Sequence, residues 1–332
     1  MYLNKSLKSF NSFGVESSAA KYVRIENIEQ LKKILNNNKK VKKIVLGGGS
    51  NILFTKKFNG LCIHMQNKGI EIKSETENYV VVEINSGENW HNFVMWCVKK
   101  DFGGVENLVL IPGCVGAAPI QNIGAYGVEL KDVFESCKTI NLETLKTEKY
   151  KIEDCKFGYR DSIFKGILKN KVVITSIQLK LSKVNHKFNL SYKSLNKLNG
   201  LKKLSIKKIA QTIIKIRNSK LPDPKKIGNA GSFFKNPIID KILFDKLHEN
   251  YKSIPFVKLT NVKFKISAAW LIENTLKKNY KKGDVGIYKN QPLVIVNYGD
   301  AGGKEIMNFA KDIQKKVKKK FEIKLINEVV IH

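Results

Sequence analysis

The sequence contains no long hydrophobic run. None of its 332 residues lies in an apolar stretch close to the roughly 18 residues that a membrane-spanning helix requires, and polar residues interrupt the start of the chain throughout. We therefore expect neither a signal peptide nor a membrane helix. The composition is nevertheless 42% hydrophobic and 9% aromatic, which is enough for a large core and excludes a disordered or fibrous protein.

Cysteine is scarce and shows no pairing pattern. The chain has five cysteines and none forms a C-x-x-C pair: Cys62, Cys97, Cys114, Cys137 and Cys155. An odd number without such pairs argues against a disulfide framework or a zinc site and is typical of the reducing cytoplasm, where we expect the protein to reside. The five histidines also lack the spacing of metal ligands, so no metal is expected.

Acidic residues and arginine are both rare. The chain has 29 Asp and Glu against 60 Lys and Arg, a net charge of +31, yet its only arginines are Arg24, Arg160 and Arg217. This charge attracts polyanions and makes a basic RNA-associated protein one alternative. Surfaces that read bases use arginine forks and interleaved aromatics, whereas Lys, Asn and Ile are abundant everywhere here. A drift in composition explains the charge better, and no specific nucleic-acid partner is expected. An arginine retained against this drift is a candidate for a role that needs a planar fork.

The dinucleotide-binding pattern G-x-G-x-x-G is absent. Instead, a predicted strand at 43–46 leads into the turn Gly47-Gly48-Gly49-Ser50-Asn51 and a second strand at 52–54, and another glycine-rich segment covers 112–127. Small residues let backbone amides approach a ligand phosphate. Each segment alone is typical of an ordinary turn, whereas the two together also fit a phosphate-bearing cofactor held without a Rossmann motif.

The length of 332 residues predicts about two domains, and the periodicity of the apolar residues predicts a mixed α/β chain. Helices are expected at 27–35 with Asn27 as N-cap, 90–100, 205–218, 267–276 and 303–320. Strands are expected at 79–84, within 134–184, at 293–297 and at 323–331. Pro222 and Pro224 mark a domain boundary.

Two polar residues in the second half of the chain could carry chemistry. Ser232 has no nucleophile-elbow motif, so by itself it indicates a turn or helix cap. Glu328 lies in a mostly apolar terminal strand, and its carboxylate faces either solvent, which is the default, or a site.

Read in order, the motifs of the chain resemble one known family. They are Asn-Ser-Phe-Gly from 11, the Gly-Gly-Gly-Ser-Asn turn, Ile-Pro-Gly-Cys-Val-Gly to Gly-Ala-Tyr-Gly-Val-Glu, Gly-Tyr-Arg-Asp-Ser, Lys-Leu-Pro-Asp-Pro-Lys, Gly-Asn-Ala-Gly-Ser-Phe-Phe-Lys-Asn-Pro and the terminal glutamate strand. This series resembles the MurB family, the UDP-N-acetylenolpyruvoylglucosamine reductases of bacterial cell-wall synthesis, from about residue 8 to 331.

The resemblance implies an α+β fold with three parts. These are a vanillyl-alcohol-oxidase (PCMH) type FAD-binding domain in two subdomains, 1–68 and 69–218, the latter joined by the terminal strand 321–332, and a separate α/β substrate-binding domain, 219–320. The implied reaction is the NADPH-dependent reduction of UDP-N-acetylglucosamine enolpyruvate to UDP-N-acetylmuramate through bound FAD. A monomer is expected. Another FAD-dependent oxidoreductase on the same scaffold is the alternative.

The resemblance also implies roles for individual residues. Ser232 matches the proton donor, and Arg160 and Glu328 match the two other catalytic groups. The implied substrate contacts are Tyr159, Tyr192 of the mobile loop found in the longer, type I members, Lys220, Asn236 and Gln291. The implied FAD contacts are Asn11, Ser12, Phe13, Gly47, Gly48, Gly49, Ser50, Asn51, Pro112, Gly113, Cys114, Gly116, Ala117, Gln121, Asn122, Gly124, Ala125, Tyr126 and Gly127. The chain departs from the family where Ala117 and Ala118 replace common hydroxyl residues and where Tyr288 replaces a histidine.

Overall fold

A computed structural model describes residues 1–201 and 203–332 of the chain. These residues form two compact units. Unit 1 comprises residues 1–5, 19–49 and 58–217, and unit 2 comprises residues 6–18, 50–57 and 218–332. The chain therefore leaves unit 1 for the last time a few residues before the two prolines that were expected to mark a boundary.

The helices and strands alternate along much of the chain. The helices are α1 (Ile28–Asn37), α2 (Trp90–Lys100), α3 (Ile206–Lys220), α4 (Lys241–Asn250), α5 (Ala268–Glu273) and α6 (Gly303–Phe321). The strands are β1 (Tyr2–Ser6), β2 (Ser18–Ile25), β3 (Lys43–Leu46), β4 (Ile52–Leu53), β5 (Phe58–Met65), β6 (Ile70–Glu75), β7 (Tyr79–Asn85), β8 (Gly124–Ala125), β9 (Val128–Glu129), β10 (Phe134–Asn141), β11 (Thr147–Lys151), β12 (Val172–Ser182), β13 (Gly228–Ser232), β14 (Ile238–Asp240), β15 (Phe256–Lys258), β16 (Lys263–Ile266), β17 (Lys281–Lys282), β18 (Val285–Tyr288), β19 (Gln291–Asn297) and β20 (Val330–Ile331).

Unit 1 contains two larger sheets. The first has the order β1-β2-β5-β3, and its strands β2 and β3 run parallel to β5. Leu31 and Leu35 of α1 pack into the core beside this sheet. The second sheet is antiparallel, in the order β11-β10-β12-β7-β6, and its core takes in the buried faces of α2 and α3. The α+β class expected from the sequence is confirmed.

Unit 2 is built around the sheet β13-β19-β18-β17, with a smaller sheet β14-β16-β15. Its core includes one face of α6, where Ile306, Phe309, Ile313 and Val317 recur at helical spacing and are buried, while lysines occupy much of the rest of the helix. Phe13 and Leu53 from the early part of the chain belong to the same core. The short segments 6–18 and 50–57 fold with unit 2 because these side chains complete it.

The sequence predicted several elements correctly. Helix α2 has the predicted bounds, and α1 begins after Asn27, whose Oδ1 accepts a hydrogen bond from the Gln30 N–H at 2.9 Å. The predicted strand 323–331 was wrong, since only Val330–Ile331 forms a strand there. Ile323, Leu325 and Val329 are buried in the core of unit 2. Their alternation with exposed residues reflects packing against that core and not a continuous hydrogen-bonded ladder.

The predicted domains and the compact units divide the chain differently. Residues 6–18, 50–57 and 321–332 were assigned to FAD-binding subdomains, and all three segments fold with unit 2. The finer division of the FAD-binding part at residue 68 stays a prediction. No helix among residues 1–201 and 203–332 is long and apolar enough to cross a membrane.

The buried imidazole of His64 generates a prediction about stability and pH. Its Nδ1 lies 2.6 Å from the Tyr22 hydroxyl oxygen, and its Nε2 lies 2.7 Å from Gln66 Nε2. Burial first, and then the positive charges of Arg24 and Lys68, lower the pKa of His64. The unfolded chain therefore binds this proton at a higher pH than the folded chain does.

The stabilisation from neutral His64 is complete above the unfolded-state pKa of about 6.5 and is lost as pH falls below it. We expect Tm to fall between pH 7.5 and pH 5.5, and to fall less steeply in His64→Gln, which has no group to protonate there. Thermal melts of both proteins across this range provide the measurement. Parallel Tm profiles for the two proteins would show that His64 does not cause the dependence.

Candidate functional site

The two glycine-rich segments of unit 1 touch each other through their backbones. A Cβ atom on Gly48 would lie 2.8 Å from Gly113 Cα, and one on Gly47 would lie 3.3 Å from Cys114 Cβ. A Cβ on Gly116 would lie 2.5 Å from Ser86 Cβ. Side chains at these positions would occupy space that neighbouring atoms already fill, so the segments form a cradle of bare backbone.

The start of α2 holds this cradle in place. The Trp90 N–H donates to the Gly113 carbonyl at 3.0 Å, and the Val115 N–H donates to the Glu88 carbonyl at 2.9 Å. Gly49 and Gly113 adopt positive φ angles of 62° and 114°, which glycine tolerates best. The local sequence, strand β3 followed by three glycines, is therefore what permits the close approach.

Cys114 lies inside the cradle as a buried thiol. Burial raises its pKa, so it stays protonated at neutral pH and is a poor nucleophile. Its contribution to the site is its small side chain and its backbone.

The second half of the glycine-rich segment is tied to the turn that carries Arg160. Asn122 Nδ2 donates to Glu129 Oε2 at 2.9 Å and to the Gly158 carbonyl at 3.1 Å, and its Oδ1 accepts from the Lys131 N–H at 3.0 Å. The Asn122 side chain is thus engaged within the protein. Its structural role is to connect two parts of the predicted site.

Arg160 lies in a tight turn and has an unusual backbone conformation. The backbone of Gly158 and Asp161 pairs across the turn, and Arg160 between them has φ of 53°. A left-handed conformation is strained for a residue with a Cβ and occurs often at functional sites. Arg160 Nη2 donates to the Gly124 carbonyl at 2.6 Å, and the guanidinium lies 5.5 Å from the centre of the Tyr159 ring. One edge of the guanidinium is therefore fixed against the glycine-rich segment.

Ser232 and Glu328 both lie in unit 2, on neighbouring backbone segments. Ser232 ends β13, whose pairing with β19 is irregular between Asn229 and Ser232, and Gly231 in this bulge has φ of 69°. Residues 326–328 run beside 233–235, because the Glu328 N–H donates to the Phe233 carbonyl at 2.8 Å and the Lys235 N–H donates to the Ile326 carbonyl at 2.9 Å. Both Ser232 and Glu328 are half-buried. The segment of Glu328 thus pairs with the residues that directly follow the bulge of Ser232.

The turn Asn11–Phe13 is also part of unit 2. The Asn11 side chain stabilises the turn itself, because its Nδ2 donates to the Leu7 and Val15 carbonyls. Phe13 is in the core of unit 2. The buried hydroxyl of Ser12 has no hydrogen-bond partner among the described residues. Of the three side chains expected to contact FAD here, only that of Ser12 keeps an unused polar atom.

The predicted substrate residues are distributed over both units. Tyr159 and Tyr192 belong to unit 1, and Tyr192 is 49% exposed. Lys220 ends α3, Gln291 begins β19, and Asn236 Oδ1 accepts from the Ala268 N–H at the start of α5 at 2.9 Å. Ligand contacts of all these residues stay predictions.

The cradle fits a phosphate-bearing cofactor. Glycines without side chains let backbone N–H groups approach an anion, while the N–H groups of Val115 and Gly116 are engaged by the Glu88 and Ser86 carbonyls. Residues 47–49 and 112–116 are therefore the part of unit 1 that would hold such a group. Among residues 1–201 and 203–332, no cluster of three or more His, Cys, Asp or Glu could hold a metal ion.

Sequence reasoning missed several residues that support this region. Asn107 Nδ2 donates to the carbonyls of Tyr126 and Asn189, at 2.8 and 2.9 Å. Nothing in the local sequence indicates this role, because both acceptors are distant along the chain. Arg217 was noted only as one of three arginines; its side chain is half-buried, and its Nε atom is buried without a hydrogen-bond partner among the described residues.

Comparisons with known proteins agree with this arrangement. Residues 223–332 match the family described as UDP-N-acetylenolpyruvoylglucosamine reductase, C-terminal domain, and residues 19–144 match an FAD binding domain. The chain is 48% identical to a UDP-N-acetylenolpyruvoylglucosamine reductase of Flavobacterium johnsoniae over 98% of both proteins. It is 46% identical to one of Amoebophilus asiaticus, over 99% of this chain and 98% of that protein.

A solved structure shares the fold. The crystal structure of UDP-N-acetylenolpyruvylglucosamine reductase (MurB) from Thermus caldophilus aligns with a TM-score of 0.69 and 22% identity, covering 98% of this chain and 96% of that one.

The backbone contact between Gly48 and Gly113 generates a prediction about cofactor binding. Gly48→Ala places a Cβ 2.8 Å from Gly113 Cα, and overpacking of this kind costs about 1–3 kcal/mol. We expect the purified variant to retain much less FAD per chain than the wild type, measured as the ratio of flavin to protein absorbance. Gly166→Ala is the matched control, because a Cβ there has no neighbour closer than 3.7 Å. Equal flavin content in Gly48→Ala and the control would contradict the cradle.

Proposed function

Because the chain belongs to the UDP-N-acetylenolpyruvoylglucosamine reductase family, we propose that it reduces UDP-N-acetylglucosamine enolpyruvate to UDP-N-acetylmuramate, with NADPH as hydride donor. This reaction is a step in peptidoglycan precursor synthesis. The observation that carries the proposal is the backbone pairing of residues 326–328 with 233–235, which brings the segment of Glu328 to the segment that directly follows Ser232 in the most specific sequence motif. A monomeric, cytoplasmic enzyme without a specific nucleic-acid partner is part of the proposal.

FAD is the cofactor, and when bound it supplies the hydride chemistry of the reaction. The residues of the chain that would hold it are those of the cradle, 47–49 and 112–116. Since Val115 and Gly116 donate their N–H groups to protein carbonyls, the diphosphate would be bound by other backbone amides of these segments. The side chains of the protein then bind and orient the substrate and transfer the proton.

Arg160 suits the carboxylate of the enolpyruvyl group. Hydride addition at the terminal carbon leaves carbanion or enol character on the carbon next to that carboxylate. A guanidinium that forks onto the carboxylate oxygens stabilises the developing negative charge. The Gly124 carbonyl and the Tyr159 ring limit how far the Arg160 side chain can move, which supports such an oriented role.

Ser232 suits the proton transfer that completes the reduction. The new C–H bond on the carbon next to the carboxylate takes its proton from the Ser232 hydroxyl. A serine hydroxyl is a weak acid, but a carbanion is basic enough to accept its proton. Glu328 serves the same step, by holding a proton or by orienting a water.

The first test of this proposal is the colour and activity of the purified protein. We expect a flavin absorption spectrum, bleached by NADPH and restored by the enolpyruvyl sugar. A flavin-containing protein that does not turn over this sugar would indicate another oxidoreductase on the same scaffold. A colourless protein that cannot be reconstituted with FAD, and that binds RNA with a steep salt dependence, would favour the basic RNA-associated alternative.

Replacing Ser232 by Ala separates the two half-reactions. Hydride transfer from NADPH requires no acid from the protein, so bleaching of the flavin should stay near the wild-type rate. Reoxidation by the enolpyruvyl sugar should slow by about 10²–10⁴-fold, the range for loss of a general acid. Ser232→Cys keeps a transferable proton and should recover part of this loss. Stopped-flow absorbance measures both rates, and a variant slowed only in the NADPH step, or in neither, would assign the proton to another group.

Replacing Arg160 by Lys tests the need for a planar fork. Lysine keeps the charge but presents a single ammonium group, so FAD should stay bound while reduction of the sugar falls severely. Arg24→Lys is the matched control, because Arg24 is exposed and pairs with Glu26 at 3.1 Å on the surface. Steady-state rates of the two variants provide the comparison. Wild-type turnover in Arg160→Lys would show that a point charge suffices.

A further inference from the structure

The segment 183–192, which leads to the predicted substrate residue Tyr192, contains neither helix nor strand. It runs from the end of β12 at Ser182 to a short 3₁₀ helix over Lys193–Leu198, and half of its residues are exposed. Such a segment has no ladder of backbone hydrogen bonds to hold it. Its position in unit 1 therefore depends on individual side-chain contacts.

Asn107 joins this segment to the end of the glycine-rich segment. Its side chain is completely buried, and its Nδ2 donates to the Asn189 carbonyl at 2.9 Å and to the Tyr126 carbonyl at 2.8 Å. Its Oδ1 has no hydrogen-bond partner among the described residues, and burial of such an oxygen is unfavourable. What this amide contributes is therefore its nitrogen, which bridges two stretches of backbone that are far apart in the sequence.

Asn189 forms a second bridge between the same two segments. Its Nδ2 donates to the Gly127 carbonyl at 2.9 Å, while its Oδ1 accepts from the N–H and the hydroxyl of Ser191, at 3.1 and 2.7 Å. A Cβ atom on Gly127 would lie 2.8 Å from Asn189 Oδ1 and 2.9 Å from Ser191 Oγ, and Gly127 has φ of 87°. The close fit of the two segments thus depends on glycine at position 127.

Tyr192 lies directly after these bridges. Its ring meets the ring of Tyr126 edge to face, with centroids 5.1 Å apart and planes at 72°, and the Tyr126 carbonyl is one of the groups held by Asn107. Beyond Tyr192, Leu195 and Leu198 are buried in the core of unit 1. The backbone is therefore fixed on both sides of a tyrosine whose side chain is 49% exposed and accessible to a ligand.

We propose that Asn107 and Asn189 form an amide latch that holds the 183–192 segment on the glycine-rich segment and thereby sets the position of Tyr192 for binding of the sugar nucleotide. Both asparagines are positioning residues in this account and act on the substrate through Tyr192. The inference rests on the proposed function, in which Tyr192 is a predicted contact of that substrate. Loss of the latch weakens binding and leaves the chemical step in place, so it changes KM more than kcat.

Asn189→Asp removes one hydrogen bond of the latch with little other change. The carboxylate still accepts from Ser191, but it cannot donate to the Gly127 carbonyl. Asn185→Asp is the matched control. Asn185 is an exposed residue of the same segment, its side chain forms no hydrogen bond within residues 1–201 and 203–332, and the substitution adds the same charge.

Limited trypsin digestion of the FAD-loaded enzyme without substrate measures the latch directly. Lys187 is exposed, and both substitutions lie two positions from it, so their effect on the protease itself is matched. Cleavage after Lys187 follows the population in which the segment has opened. Mass spectrometry of the fragments should show cleavage about 2–10-fold faster in Asn189→Asp than in Asn185→Asp, the range for loss of one hydrogen bond. Equal rates in the two variants would overturn the latch.

Steady-state kinetics with NADPH and the enolpyruvyl sugar test the effect on Tyr192. The KM for the sugar should rise about 2–10-fold in Asn189→Asp, with kcat changed by less than about twofold, and should stay at the wild-type value in Asn185→Asp. In a Tyr192→Ala background, Asn189→Asp should raise KM no further, since it acts through that side chain. An unchanged KM, or an equal rise with and without Tyr192, would overturn the positioning role.

Asn107→Leu removes both donors of the buried amide without introducing a charge. It should open the segment more than Asn189→Asp does, because two bonds are lost, and the Asn189→Asp comparison decides the matter if this variant does not fold. A wild-type enzyme that does not reduce the sugar would overturn the proposed function, and the trypsin rates would then decide the latch alone.

Discussion

The close approach of Gly48 to Gly113 is the constraint on which unit 1 depends. Two backbone segments can pack at this distance only when neither carries a side chain, and the space is filled so tightly that a single methyl group would collide with a Cα atom. The contact joins the exit from β3 to the start of α2, since the Gly113 carbonyl accepts from the Trp90 N–H. Through Asn122 and Gly124 the same segment also fixes the turn that holds Arg160. The glycine-rich cradle and the turn of Arg160 are thus parts of one hydrogen-bonded framework.

Local patterns in the sequence were sufficient to predict those elements that are stabilised by residues close together in the chain. Helix α2 was predicted with its observed bounds because the features that define it are local. Its apolar residues recur at helical spacing, Asn89 caps its start, and basic residues occupy its last turn. Helix α1 was predicted from Asn27 for the same reason. The terminal strand was predicted wrongly, because alternation of buried and exposed residues records which side faces a core and not whether a neighbouring strand is present.

The candidate site was predictable only in part. Arg160 stood out because arginine is so rare in this chain, and the structure gives it a strained backbone and an oriented side chain. Asn122 and Asn236 were expected to contact ligands, and their bonds to the Gly158 carbonyl and the Ala268 N–H were not foreseen. Such bonds join groups far apart along the chain, and no local pattern encodes them. Arg217 is equally rare in the sequence, but the burial of its Nε atom is visible only in the folded chain.

Unit 2 combines early and late segments of the chain, and this has a consequence for folding during synthesis. Phe13 must join a core whose remaining side chains follow much later, and its carbonyl accepts from Asn297 Nδ2 across 284 positions of sequence. At the usual pace of about 5–20 residues per second, the ribosome needs roughly 15–60 s to make the intervening chain. During that interval the segments 6–18 and 50–57 lack most of the core that they join. These early segments of unit 2 therefore reach their final packing only after the late residues of the same unit have been made.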